Sequence, residues 1–71
     1  MMLYSVNVSM LKVKSKPSDE TSKNVSLKRG SVVKRIGPPV TYKQDQWIHI
    51  ETVNKPIVNG YVQSKYMTKI S

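Results

Sequence analysis

Apolar and polar residues alternate with period two along most of this chain, the signature of strands with one buried face. Val6 and Val8 alternate with Ser5, Asn7 and Ser9, and Leu11 and Val13 alternate with Lys12 and Lys14. An antiparallel sheet with one face on a core and the other in water needs this arrangement. Residues 15–24 then offer almost nothing to bury. Pro17 cannot donate to a ladder, and the Ser, Asp and Asn side chains compete for local backbone bonds, so a long loop is expected. Val25 and Leu27 restore the alternation, and Lys28-Arg29-Gly30-Ser31 reads as a turn with Gly30 free to take positive φ.

The next strand is Val32-Val33-Lys34-Arg35-Ile36. Strict alternation puts Val33 and the pair Val32/Ile36 on opposite faces, and a bulge would reconcile them. Gly37-Pro38-Pro39 breaks the strand, and a polar stretch from Tyr42 to Gln46 leads into Trp47-Ile48-His49-Ile50-Glu51, with Ile48 and Ile50 on one face. Asn54-Lys55-Pro56 and Asn59-Gly60 bracket a hairpin connection, Asn-Gly being a strong turn pair. Tyr61-Val62-Gln63 forms a short strand. One 3₁₀ turn is expected near residues 64–67, followed by a closing strand to Ile70. No amphipathic stretch reaches helical length. Five to six short antiparallel strands separated by turn clusters predict an all-β domain, a small barrel or sandwich. Closure into a barrel would remove exposed sheet edges.

Length and composition narrow the chemistry. Seventy-one residues make one domain, and a chain this short buries only about 60% of the surface its unfolded state exposes. Cysteine is absent, which excludes disulfides and thiolate metal sites. Twelve Lys and Arg against four acids give a formal charge of +8. Such an excess bears on solubility and on anionic partners, and says nothing about fold. The start of the chain has no basic segment followed by an apolar run, as an export signal would. Nothing approaches the roughly 20 apolar residues of a membrane span, so no membrane insertion is expected. A cytoplasmic location follows if the chain is complete, and a cell-wall or extracellular one if it is a fragment of an exported protein.

The order of strands and turns resembles the bacterial SH3 domain, a small barrel of the Src-homology-3 type. That family opens with Leu-Asn-Val-Arg-Ser-Gly-Pro-Ser, and this chain has Leu11-Lys12-Val13-Lys14-Ser15-Lys16-Pro17-Ser18. The family's Val and Leu before a basic-basic-Gly turn are met by Val25, Leu27 and Lys28-Arg29-Gly30, and its Val-rich strand by Val32 to Ile36. Trp-x-Lys-Val is met by Trp47-Ile48-His49-Ile50, and the closing Gly-Trp-Val-x-x-x-Tyr-Leu by Gly60-Tyr61-Val62-Gln63-Ser64-Lys65-Tyr66-Met67. Lys12, Lys16 and Tyr61 depart from the family's Asn, Gly and Trp. The likeness implies an SH3-like domain over residues 10–71, with residues 1–9 as an extension or an edge strand. It further implies recognition of peptides or of cell-wall peptidoglycan, by a module often attached to a wall hydrolase. No hydrolase domain is present in these 71 residues, and fold alone does not fix function.

Trp47, the sole tryptophan, is expected either to pack at the core or barrel rim, or to floor a groove, since Ile48 and Ile50 already supply the buried face. Tyr42, Tyr61 and Tyr66 would complete an aromatic groove, because Tyr and Trp anchor binding surfaces. His49 alternates with Ile48 and Ile50 and so shares Trp47's side. Catalysis would need a nucleophile and an orienting carboxylate beside it. Asp45 and Glu51 are candidates only by proximity in sequence and no Cys exists to serve as nucleophile, so no enzyme and no catalytic residue is expected. One His and four scattered acids make no metal site, and no cofactor is implied. In the long loop, Lys16 and the acidic pair Asp19 and Glu20 are candidate ligand contacts. Lys12, Lys14, Lys28, Arg29, Lys34 and Arg35 are the candidate basic surface. The glycines at 30, 37 and 60 and Pro38 and Pro39 read as turn residues.

Two functions follow. The first is a binding module that takes a peptide, a protein surface or wall peptide in an aromatic groove; a free-standing phage or mobile-element protein that binds a host protein is one form of it. The second is a basic small barrel for nucleic acid, in which bases stack on aromatic rings and phosphates meet lysines. Only two of the twelve cations are Arg, the usual reader of base edges, which weighs toward the first.

Overall fold

The computed structural model describes residues 2–18, 23 and 25–71. Eight short strands run through them: β1 (Leu3–Val6), β2 (Met10–Lys12), β3 (Ser26–Lys28), β4 (Val32–Arg35), β5 (Val40–Tyr42), β6 (Asp45–Thr52), β7 (Asn59–Gln63) and β8 (Met67–Lys69), with a 3₁₀ turn at Ser64–Tyr66 before β8. Every pairing is antiparallel. The fold is all-β and barrel-like. Among the described residues no helix is long and apolar enough to cross a membrane.

Strand β6 organises the molecule. One of its edges carries β5 and then β4, the other carries β7, and the sheet continues from β4 through β1 to β8. Strands β2 and β3 form a separate two-stranded sheet. It is tied to β7 where Lys14 and Tyr61 exchange both backbone hydrogen bonds, at 2.9 and 2.7 Å. This crossing is tight. A Cβ on Gly60 would run into Val13 Cγ1 and lie 2.6 Å from the Lys14 carbonyl oxygen. Glycine is needed there because the two backbones meet with no room for a side chain.

The core gathers the inward residues of each strand. Val6, Val13, Val33, Ile50 and Val62 are 0–2% exposed, and Leu11, Leu27, Ile48 and Met67 close the cluster, with Tyr4, Val8, Val25 and Tyr66 packed against it. Each such aliphatic side chain contributes about 1.5–3 kcal/mol by leaving water.

Four expectations change. The first strand does not lie outside the domain or on its edge: β1 is held between β4 and β8. Beta-4 has no bulge, because Val33, Lys34 and Arg35 pair in unbroken register with Thr52, Glu51 and Ile50; Val33 alone faces the core, while Ile36 is 41% exposed. Asn59 and Gly60 are not a turn but the start of β7, opposite Glu51 and Ile50. An unexpected strand, β5, leads into the polar stretch from Tyr42 to Gln46 and is joined to β6 by a two-residue turn in which Lys43 and Gln44 take φ of 51° and 69°. The turn at Lys28 to Ser31 is as expected, with Gly30 at φ 88°.

Candidate functional site

Alternation along β6 sends Ile48 and Ile50 inward, and so turns Asp45, Trp47, His49 and Glu51 to the opposite face. The register adds neighbours to each. Trp47 stands between Val40 and Gln63, His49 beside Tyr61, and Tyr42 opposite Asp45. All five predicted groove residues except Tyr66 therefore share one sheet face. Tyr66 comes from the 3₁₀ turn.

The five do not act alike. His49 and Tyr61 stack face to face, with centroids 4.4 Å apart and planes 7° from parallel. Trp47 is only 2% exposed, and its Nε1 is buried with no hydrogen-bond partner among the described residues. The indole therefore cannot floor a ligand groove. It is held within the sheet, where Val40 and Gln63 pair with it from the strands on either side. Tyr42 is half-buried, with Lys43 Nζ 5.4 Å from its ring centroid, and Lys65 Nζ lies 5.3 Å from the Tyr66 centroid. Lys65 also reaches Asp45 at 3.9 Å, linking the 3₁₀ turn to the start of β6.

A cavity of about 360 Å³ opens beside this face. Its walls are Val8, Met10, Lys12, Lys14, Gln63 and Tyr66, with Leu11 beneath. Period-two alternation explains the arrangement: Leu11 and Val13 turn to the core, so Met10, Lys12 and Lys14 turn outward together. The Lys14–Tyr61 bridge then joins this groove to the His49–Tyr61 stack. The site that the structure assembles is thus Tyr66, Lys12, Lys14, Tyr61 and His49, with Met10, Val8 and Gln63 added. Met10 was legible as the first outward residue of the lysine row. Val8 and Gln63 were not, since each sits in the groove only because β2 crosses β7.

The remaining expected residues lie elsewhere. Lys16 is exposed two residues beyond Lys14, while Asp19 and Glu20 fall outside the described residues. Lys28 and Arg29 sit on the β3–β4 turn, where an Arg29 guanidinium N–H donates to the Asn7 carbonyl at 2.6 Å. Lys34 is not a free surface cation: it pairs with Glu51 at 3.1 Å. Arg35 is half-buried at the end of β4. The proposed basic surface is therefore divided among separate places, and only Lys12 and Lys14 border the groove. Among the described residues, no group of three or more His, Cys, Asp or Glu gathers where it would hold a metal ion.

No protein-family model, no curated protein and no solved structure matches this chain.

Proposed function

We propose that this domain is a non-enzymatic binding module that takes a protein segment in the groove between β2 and the 3₁₀ turn. The observation that carries the reading is the groove itself. Val8, Met10, Tyr66 and the two lysines Lys12 and Lys14 line one cavity. Binding pockets are built this way, with an apolar lining and a few polar groups that fix orientation. The two lysines favour a ligand with carboxylates, and the His49–Tyr61 stack extends the surface beyond Lys14.

Membership of the bacterial SH3 family is part of this proposal. It is supported by the positions its motif residues occupy: Leu11 and Val13 in the core, Gly30 in a positive-φ turn, and Tyr66 on a 3₁₀ turn before the closing strand. Nucleic acid fits less well. Lysine ammonium groups stand over the rings of Tyr42 and Tyr66, taking a face on which a base would stack, and the rings of His49 and Tyr61 stack on each other.

Capture from cell lysate on the immobilised domain, at about 0.1 M and about 0.5 M salt, tests this, since phosphate-driven binding falls steeply with salt. The control carries Met10→Ser and Lys12→Glu, both at exposed positions. A discrete polypeptide retained at the higher salt and lost from the control is expected. Recovery of nucleic acid alone, released by salt, would contradict the proposal.

A further inference from the structure

A second surface lies at the far end of β6, at the hairpin that joins it to β7. Hairpin connections in water are normally polar, yet residues 53–58 include Val53, Pro56 and Ile57, all exposed, with Val53 at 48% and Ile57 at 53%. The core cluster includes neither Val53 nor Ile57. Val53 and Ile57 border one of two adjoining cavities, and Pro56 borders the other. One, about 370 Å³, is walled by Leu3, Val32, Val53 and Ile57, with the Lys34–Glu51 ion pair at its side. The other, about 240 Å³, is walled by Val25, Leu27, Pro56 and Lys55, and the two share Val32 and Thr52.

The connection is held in place. Thr52 donates its backbone N–H to the Val58 carbonyl at 2.8 Å. Its hydroxyl accepts from Val58 N–H at 2.8 Å and donates to the Pro56 carbonyl at 3.0 Å. A surface ordered before binding loses less entropy on binding. Val53 and Ile57 are exposed and line one cavity with Leu3 and Val32, and apolar residues gathered in this way, rather than scattered singly, favour an interaction site.

Charge decides the occupant. The groove's one carboxylate, Glu51, is neutralised by Lys34, while Lys55 borders the second cavity and the whole chain carries +8. A second copy would bring another +8 and be repelled, whereas an acidic partner is attracted from a distance. We infer that the β6–β7 hairpin groove docks an apolar segment of an acidic protein, on a surface separate from the Tyr66 groove.

Two synthetic amphipathic peptides test this on the full chain: one of Leu, Ala and Glu, and its counterpart with Lys in place of Glu. Amide resonances are followed during titration. The acidic peptide is expected to shift Val32, Val53 and Ile57 saturably, and the basic one to leave them unmoved. Ile57→Asp, at an exposed position that should fold normally, should weaken the acidic peptide at least about tenfold, the equivalent of about 1.4 kcal/mol. Met10→Ser alone, which keeps the net charge, should leave it unchanged, which separates this surface from the Tyr66 groove. Shifts confined to Tyr61 and Tyr66, unchanged binding in Ile57→Asp, or no saturable shift would overturn the inference. So would concentration-dependent shifts without peptide, which would make a second copy the occupant, or displacement of the acidic peptide by single-stranded oligonucleotide.

Discussion

Single residues divide here by which face of β6 they serve. Ile48 and Ile50 announced the inward face through alternation alone. Trp47 could not be assigned in the same way: alternation gives it the opposite face, yet it is buried. Period two says which side a residue takes, and only the topology says whether that side is covered. Gly60 makes a similar point: its dipeptide with Asn59 has the chemistry of a turn, yet the residue sits in a strand, where its missing side chain lets Lys14 pass. Gly60→Ala should therefore cost about 1–3 kcal/mol, the range for forcing extra atoms into a packed site. Urea unfolding of the two proteins measures it, and a change within experimental error would mean that the crossing is looser than described.

At the scale of elements, most strands were readable and their connections less so. The lysine row of β2, the Val33 strand, β6 and the 3₁₀ turn with its closing strand all follow from alternation and turn residues. Strand β5 was hidden because the turn after it uses Lys43 and Gln44 at positive φ, positions where Asn and Gly are the usual signal. A non-glycine residue in this region is disfavoured by roughly 1–2 kcal/mol. Gln44→Gly should accordingly raise stability by about 1 kcal/mol, part of the gain being offset by the greater freedom of glycine in the unfolded chain. Thermal unfolding reads this directly, and a lowered midpoint would argue against the turn. The candidate site is itself an element-scale product. Met10, Lys12 and Lys14 were legible as one outward row, but their meeting with Gln63 and Tyr66 needed the β2–β7 crossing.

The whole molecule joins a small aliphatic core to a strongly cationic surface. With no cysteine to staple it, a core of this size supplies about 3–5 kcal/mol of net stability. Losing Trp47 would consume most of that, since truncating a buried Trp to Ala costs about 3–5 kcal/mol. Variants at exposed groove positions are therefore the informative ones for function. A charge of +8 attracts acidic ligands to the molecule as a whole, and the proposed function adds that the Tyr66 groove is where the captured segment binds, so location is the central claim. The most direct measurement is an amide-resonance titration of the ¹⁵N-labelled domain with the polypeptide segment it captures. Saturable shifts at Lys12, Lys14, Tyr61 and Tyr66, abolished by Met10→Ser with Lys12→Glu, are the predicted result. Shifts spread over the lysines at large, or unchanged by that variant, would contradict the Tyr66 groove as the binding site.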